Sequence, residues 1–213
     1  MIVKVCGVRT AAIAALAVEE GADWIGVVLV PRSPRAADPA AVREVRAAIA
    51  GGADLVGILV DADAVTCNRV AAQLGLDAVQ LHGHADPSMA AALEVPVIRG
   101  INVNDPQRAF TEQWWPGVPL LVDAANRPDE LPGGTGRLAP VEVAAELARH
   151  RQVVLAGGLD AAVVEDAVAR VRPWGVDASS RLESAPGVKD PERVRAYVRA
   201  ARRALATLLP VTT

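Results

Sequence analysis

Residues 52–82 read GADLVGILVDADAVTCNRVAAQLGLDAVQLH, and their pattern decides the fold class. Two short apolar segments, Leu55–Val60 and Ala78–His82, flank the stretch Ala64–Leu74, where apolar residues recur at helical spacing. The apolar segments do not alternate with polar residues, as is typical of parallel strands covered on both faces. This stretch therefore predicts a strand–helix–strand unit with parallel strands.

The same alternation continues in both directions along the chain. It predicts eight strands, at Ile2–Cys6, Trp24–Leu29, Leu55–Val60, Ala78–His82, Val97–Ile101, Leu120–Asp123, Val153–Ala156 and Gly175–Ser179. It predicts helices at Thr10–Glu20, Pro39–Ala50, Ala64–Leu74, Pro87–Leu93, Pro140–Arg149, Ala161–Arg170 and Pro191–Leu208. The segment between the fifth and sixth strands is less regular.

Two local signals recur at the ends of these elements. A capping aspartate precedes a proline at the first helical position in Asp38-Pro39, Asp86-Pro87 and Asp190-Pro191. A glycine closes a helical stretch and an aspartate opens the next strand in Gly21-Ala22-Asp23, Gly52-Ala53-Asp54 and Gly75-Leu76-Asp77.

Eight strand–helix units in 213 residues predict an α/β fold, a single-domain (β/α)8 TIM barrel over residues 1–213. No linker or change in composition divides the chain. A doubly wound open sheet is the alternative, but Cys6-Gly7-Val8-Arg9 is not the glycine-rich turn that such a sheet places after its first strand.

Composition excludes several classes of function. The chain has 22 Lys and Arg against 25 Asp and Glu, a net charge of −3, so it lacks the basic excess of proteins that bind nucleic acids or anionic membranes. Aromatic residues make up only 3%. Two cysteines, no signal-like amino terminus and no apolar run of the roughly 20 residues that span a bilayer predict a cytoplasmic protein.

Polar residues end several of the predicted strands, where barrel enzymes place their catalytic groups. Cys6 ends the first strand and Asp123 the sixth. A thiol and a carboxyl group from opposite walls can act as base and acid on one small molecule without a metal or organic cofactor. We therefore predict Cys6 and Asp123 as catalytic residues. An inert core thiol is the alternative for Cys6, and it is the interpretation for Cys67, which lies within a helical stretch.

Other strand ends and loops predict ligand contacts. Gly157-Gly158 and Ser179-Ser180 follow the seventh and eighth strands, where barrels often bind phosphate through backbone N–H groups. Arg35 can bind a carboxylate through its planar fork. His82 either donates a hydrogen bond in the pocket or is structural, and Gly133-Gly134-Thr135-Gly136 is either a mobile lid or a flexible turn. No cluster has metal-ligand spacing, so neither metal nor cofactor is predicted.

Eight motifs, in order and over nearly the whole chain, resemble those of the phosphoribosylanthranilate isomerase family, barrel enzymes of tryptophan biosynthesis. The motifs are Lys4–Arg9, Gly26 through Pro31–Arg35, Leu76–Gly83, Leu121–Asp123, Gly133–Gly136, Ala156–Leu159, Val176–Ser180 with Glu183, and Pro186–Asp190. Cysteine at position 6 favours this family over the related histidine-pathway barrels, which use a carboxylate there.

The resemblance implies an activity and a role for each site residue. The activity is the Amadori rearrangement of N-(5-phosphoribosyl)anthranilate to a 1-deoxyribulose phosphate. Asp123 would be the general acid that protonates the ring oxygen, and Cys6 the general base that removes the proton from C2. Arg35 would hold the anthranilate carboxylate, and His82 and Asp177 would line the pocket. The phosphate would bind at Gly157, Gly158, Ser179 and Ser180.

Two positions depart from the family pattern. Arg181 stands where the family usually has glycine, and the usual asparagine after the seventh strand is replaced in the run that contains Val163 and Val164. A divergent isomerase acting on a related aminoribosyl phosphate, or a noncatalytic phosphate-binding barrel, is therefore kept as an alternative. The expected partner is a small phosphorylated substrate, and the chain is expected to be a monomer or homodimer. Trp114-Trp115, between the fifth and sixth strands, is either an exposed hydrophobic patch or the packing of an irregular helix.

Overall fold

The strands of the chain close into one parallel barrel in the computed structural model, which describes residues 1–102, 115–123 and 141–209. Each strand pairs with the next, and β1 pairs with β8. The strands are β1 (Ile2–Cys6), β2 (Trp24–Val28), β3 (Asp54–Val60), β4 (Ala78–His82), β5 (Val97–Asn102), β6 (Leu120–Asp123), β7 (Val153–Leu155) and β8 (Gly175–Ala178). This closure confirms the predicted barrel and excludes the doubly wound open sheet.

Helices follow most strands in the described parts of the chain. They are α1 (Ala11–Glu19), α2 (Pro39–Ile49), α3 (Ala64–Leu74), α4 (Met89–Ala92), α5 (Val141–Ala148), α6 (Val164–Val171) and α7 (Pro191–Ala206). Between β8 and α7 lie a short 3-10 helix (Ser180–Leu182) and an antiparallel hairpin of β9 (Glu183–Ala185) and β10 (Val188–Lys189). None of the described helices is both long and apolar enough to cross a membrane.

The predicted caps hold for two helices and fail for a third. Asp38 Oδ1 accepts a hydrogen bond from the Ala41 N–H (2.8 Å), and Asp190 Oδ1 accepts one from the Glu192 N–H (2.9 Å). The cap predicted at Asp86 was wrong, because its Oδ1 accepts from the Ser88 N–H (2.8 Å) in a turn, and α4 begins only at Met89.

A second local turn delays α6. Asp160 Oδ1 accepts a hydrogen bond from the Ala162 N–H at 2.9 Å, and the helix begins at Val164 instead of the predicted Ala161. A short aspartate side chain can satisfy backbone donors in a turn as readily as at a helix end. Helical spacing alone therefore placed this start too early.

The aspartates at the helix-to-strand corners fasten neighbouring strands. Asp23 Oδ2 accepts a hydrogen bond from the Val3 N–H (2.7 Å), and Asp77 Oδ2 accepts one from the Leu55 N–H (2.8 Å). Gly75 ends α3 with a φ of 64°, as predicted. At the second corner the predicted glycine stop was wrong, because Ala50 itself ends α2 in the left-handed region with a φ of 35°.

Alternation along each strand divides the side chains between two packing regions. Val3 and Val5 belong to the core between the barrel and its helices, whereas Cys6 packs inside the barrel against Val28 and Ile58. A second apolar layer inside the barrel consists of Trp24, Val56, Ala78, Ile98, Leu121, Val154 and Ala156. The strand-end residues of the inward face therefore line the mouth of the barrel.

Candidate active site

A cavity of about 70 Å³ among the described residues lies at the carboxyl ends of the strands. It brings together six of the residues predicted from the sequence, which are Cys6, Arg35, His82, Asp123, Asp177 and Ser179. A larger cavity of about 1070 Å³ is lined mainly by residues around α2 and α3, with Arg9, Arg43 and Arg69 as its exposed cations. Of these two cavities, the one at the barrel mouth combines a thiol, carboxyls and an imidazole, so we place the candidate site there.

Cys6 sits at the end of β1 with 8% of its surface exposed. Its neighbour in the barrel register is Gly26 on β2. A Cβ atom on that glycine would lie 3.0 Å from the Cys6 Sγ, closer than ordinary carbon contacts. Because Gly26 has no side chain, there is space for the thiol of Cys6.

Lys4 lies two residues before Cys6 on β1 and is completely buried. Two residues along a strand return to the same face, so the ammonium points into the barrel with the thiol. Its Nζ donates a hydrogen bond to Asp177 Oδ2 at 3.0 Å. Burial by itself would lower the pKa of Lys4, but Asp177 and the Cys6 sulfur raise it above the ordinary value.

The charges around Cys6 act in opposite directions on its thiol. Burial raises the pKa of Cys6 above the ordinary value, and the Asp177 carboxylate adds to the rise. Lys4 is the strongest opposing influence, and Lys189 from β10 acts with it. A thiolate at this position therefore depends on two buried cations.

Asp123 ends β6 and lines the same cavity with its side chain partly exposed. In the barrel order β6 is separated from β1 by β7 and β8. Its carboxyl therefore approaches the cavity from a different wall than the thiol. This is the placement that an acid and a base acting on two sites of one substrate require.

His82 ends β4, and its ring projects into the cavity. Its Nε2 lies 2.7 Å from the Gln80 amide nitrogen, which places the ring proton on Nδ1 when that amide donates. A Cβ on Gly100 would lie 2.4 Å from the ring, so the glycine on β5 makes room for it. Burial, Arg99 and Lys4 lower the pKa of His82 to about 4, which makes it a neutral hydrogen-bonding group in the pocket.

Arg35, in the loop after β2, is held by a carboxylate that is distant in sequence. Its Nε and Nη2 donate to Glu183 Oε1 and Oε2, each at 2.8 Å. Lys189 Nζ donates to the same Glu183 Oε1 at 2.6 Å and to the Ser179 carbonyl at 3.2 Å. The loop after β2 is thus tied to the segment that follows β8.

The residues predicted to bind phosphate are only partly gathered into the cavity. Ser179 lines it, whereas Gly157, Gly158 and Ser180 lie beyond its lining in the segments after β7 and β8. Gly157 and Gly158 have φ angles of 92° and 71°, which a residue with a side chain rarely adopts. No described residue accepts a hydrogen bond from the N–H groups of Gly157, Gly158 and Ser180.

Two predictions concern the segments between β5 and α5. Gly133, Gly134, Thr135 and Gly136, together with Trp114, lie outside the described residues. Trp115 is buried, and the Arg99 guanidinium lies 5.5 Å from its ring centroid. For Trp115 the exposed-patch alternative is therefore wrong.

Comparison with known proteins shows the family of the chain. The model of the N-(5'-phosphoribosyl)anthranilate (PRA) isomerase family matches residues 3–200. The chain belongs to this family. The N-(5'-phosphoribosyl)anthranilate isomerase of Azorhizobium caulinodans is 40% identical, with 98% of this chain and 94% of that protein covered. That of Roseiflexus castenholzii is 42% identical over 96% of this chain and 99% of its own length.

Solved PRA isomerases have the same fold. The Thermotoga maritima enzyme superimposes with a TM-score of 0.86 at 30% identity, covering 95% of this chain and all of that one. A phosphoribosyl anthranilate isomerase in complex with reduced 1-(o-carboxyphenylamino)-1-deoxyribulose 5-phosphate superimposes with a TM-score of 0.82 at 28% identity, with 95% and 100% covered.

The two departures from the PRA isomerase pattern fit the backbone. Arg181 is exposed in the 3-10 helix and is not among the residues with positive φ, so this position does not need glycine. Val163 occupies the N-cap position of α6 and provides no side-chain hydrogen bond there. Neither residue lines the cavity that contains Cys6 and Asp123.

Sequence reasoning missed three charged residues that surround the candidate site. Lys4, Glu183 and Lys189 lay within the quoted motifs but received no role. The two-residue period of β1 was the signal that could have paired Lys4 with Cys6. Glu183 and Lys189 carried no such signal, because only the β9–β10 hairpin brings them to Arg35.

Proposed function

We propose that this chain catalyses the Amadori rearrangement of N-(5-phosphoribosyl)anthranilate to 1-(2-carboxyphenylamino)-1-deoxyribulose 5-phosphate. The observation that carries the proposal is the presence of Cys6 and Asp123 on different walls of one cavity at the barrel mouth. Membership of the PRA isomerase family indicates the identity of the substrate.

Asp123 performs the first step as general acid. Its carboxylic acid gives a proton to the furanose ring oxygen, the bond between C1 and that oxygen breaks, and the nitrogen lone pair forms a C1=N iminium ion. The iminium withdraws electrons from C2 and acidifies the proton there. A base of ordinary strength then suffices for the second step.

Cys6 performs the second step as general base. Its thiolate takes the C2 proton, the C–H electron pair becomes a C1=C2 double bond, and the iminium electrons return to nitrogen. The resulting enolamine takes a proton at C1 and loses one from its C2 hydroxyl to give the ketone, so atoms and charge balance overall. Lys4 and Lys189 favour the thiolate electrostatically.

The remaining residues bind the substrate. Arg35 holds the anthranilate carboxylate, because a guanidinium is matched in shape and charge to that group. The backbone of Gly157 and Gly158 and the segment Ser179-Ser180 hold the phosphate. His82 and Asp177 contact the opened sugar, with His82 in its neutral form because its pKa is lowered to about 4.

Several broader expectations accompany this proposal. The chain acts as one barrel domain over residues 1–213, with a small phosphorylated substrate as its partner and without metal or cofactor. Both Cys6 and Cys67 are free thiols, which supports a location in the reducing cytoplasm. Light scattering during gel filtration distinguishes a monomer from a homodimer.

A fluorescence assay tests the activity. Freshly generated phosphoribosylanthranilate should lose its anthranilate fluorescence when the wild-type protein is added, and Asp123→Asn should slow this by about 100- to 10,000-fold, the usual contribution of a general acid. Asp86→Asn, which changes an exposed turn carboxylate, is the matched control and should retain full activity. Binding of product without turnover by the wild type would instead indicate a noncatalytic barrel.

A further inference from the structure

Glu183 is a buried carboxylate that links two parts of the site. Only 7% of its surface is exposed, and it contacts two cations. Its two oxygens accept separately from Arg35 Nε and Nη2 at 2.8 Å, and Oε1 also accepts from Lys189 Nζ at 2.6 Å. The Gly187 N–H donates to Oε2 at 3.2 Å. Both carboxylate oxygens are therefore fully engaged inside the protein.

The edge of Arg35 that Glu183 uses determines what the guanidinium can still bind. Nε and Nη2 form the side-on edge, and both of these atoms donate to Glu183. The end-on edge, formed by Nη1 and the second hydrogen of Nη2, donates to none of the described residues. A guanidinium held side-on by one carboxylate can thus bind a second one end-on with two parallel hydrogen bonds.

The surroundings fix Arg35 in this orientation. A Cβ on Gly7 would lie 3.0 Å from Arg35 Cδ and 3.3 Å from Lys189 Nζ, so the side chains pack closely over this glycine. Burial by itself would raise the pKa of Glu183, but the hydrogen bonds from Arg35 and Lys189 hold it below the ordinary value. Two cations around one carboxylate leave a net positive charge at the rim, which attracts an anionic group.

We propose that Glu183 is the positioning residue that holds Arg35 side-on. The end-on edge of Arg35 then binds the carboxylate of the aromatic amine in the substrate. This proposal rests on the proposed function, because that function makes Arg35 the carboxylate ligand. Glu183 itself touches no substrate. Its role is to fix a flexible arginine before binding, so that less side-chain freedom is lost when the carboxylate binds.

The consequence is substrate selectivity, measured as a difference in KM between two substrates. Without Glu183, Arg35 can adopt several rotamers, and the affinity for a substrate with a carboxylate falls. A substrate without that group gains nothing from the alignment of Arg35 and should be affected much less. The two substrates are those formed by ribose 5-phosphate with anthranilate and with aniline, which differ only in the carboxylate.

The experiment compares kcat and KM for these two substrates in the wild type and in Glu183→Gln. For the anthranilate substrate we expect KM to rise about tenfold or more, the usual effect of losing a charged, bidentate hydrogen bond. For the aniline substrate we expect KM to change less than about threefold, because no carboxylate is present. Glu183 also holds Lys189, so any change in kcat should be equal for the two substrates. Glu20→Gln is the matched control, since Glu20 also bridges two arginines, Arg195 and Arg199, but away from the cavity.

Each outcome supports or overturns either the positioning role of Glu183 or the proposed function. Selective loss with the anthranilate substrate supports the positioning role. An equal rise of KM with both substrates overturns it, because a structural defect does not distinguish them. An unchanged KM with the anthranilate substrate also overturns it, and so does a wild type without preference for the carboxylate. If Glu183→Gln does not melt cooperatively, Glu183→Asp replaces it. The shorter side chain keeps the charge but cannot reach both Arg35 nitrogens from the same backbone position, so it should show the same selective loss. Failure of the wild type to convert either substrate would instead overturn the proposed function.

Discussion

The two buried thiols of this protein lie in contrasting regions. Cys6 is at the barrel mouth beside Lys4, Asp177 and Lys189, whereas Cys67 is packed within α3 in the core between the barrel and its helices. Burial raises the pKa of both thiols, and Asp63 adds to the rise at Cys67. Only Cys6 has cations that oppose the rise. Burial therefore acts alike on the two thiols, and only the neighbouring charges distinguish them.

Replacing each cysteine by alanine should give the largest difference in activity between the two regions. Cys6→Ala should lower kcat by about 100- to 10,000-fold through loss of the base, with little change in the free energy of unfolding. Cys67→Ala should retain its kcat and lose about 1–2 kcal/mol of stability through the cavity left behind. Fluorescence kinetics and denaturant unfolding check both expectations. Equal activity of the two variants would contradict the assignment of Cys6.

Changing the two members of the Lys4–Asp177 pair should shift the pKa of the Cys6 thiol in opposite directions. The effect on activity should be smaller than that of Cys6→Ala. In a Cys67→Ala background, Lys4→Met should raise the pKa of Cys6 and Asp177→Asn should lower it, because one removes a cation and the other an anion. The rising limb of kcat/KM with pH should move accordingly, since the base must be deprotonated to act.

The rate of Cys6 alkylation as a function of pH measures this shift directly. Thermal melting shows that each variant is folded, because breaking a buried ion pair is itself destabilising. Shifts of the same sign in both variants would indicate general loosening of the barrel and would count against the electrostatic role.

The smallest expected effect concerns the pH dependence of stability at His82. Its pKa is lowered to about 4 in the folded protein from 6.5 in the unfolded chain. Between these values the unfolded chain binds the extra proton, so stability is fully present above about pH 6.5 and is lost as pH falls toward 4. His82→Gln should reduce this loss by about 1–3 kcal/mol. Unfolding midpoints at pH 7.5 and 4.5 provide the measurement, and an unchanged difference in the variant would refute it.

Local sequence patterns predicted most of the barrel. The strand bounds agree with the prediction to within one residue, because a buried parallel strand is a continuous apolar run with polar ends. The helix starts near Asp86 and Asp160 were placed too early, because their side chains cap turns there instead of helices. Local signals therefore identify an element more reliably than its first residue.

Only the part of the site that lies at strand ends could be predicted from the sequence. Cys6, His82, Asp123 and Asp177 follow from their positions at or near the ends of strands, and the structure brings them into one cavity. The roles proposed for them, and the phosphate-binding role of Gly157, Gly158 and Ser180, stay predictions. The space for the thiol and for the His82 ring depends on Gly26 and Gly100 of neighbouring strands, which no local pattern indicated.

The sequence by itself determined the barrel, the family resemblance and the residues at the strand ends, because each of these follows from periodicity or from an ordered set of short motifs. Only the tertiary structure decided that Lys4 and Asp177 lie against the thiol and that Glu183 holds Arg35. Arg35 and Glu183 are 148 positions apart, and the charge of a side chain does not specify its partner. Barrel closure and the hairpin after β8 bring these groups together, and their burial makes the resulting interactions strong.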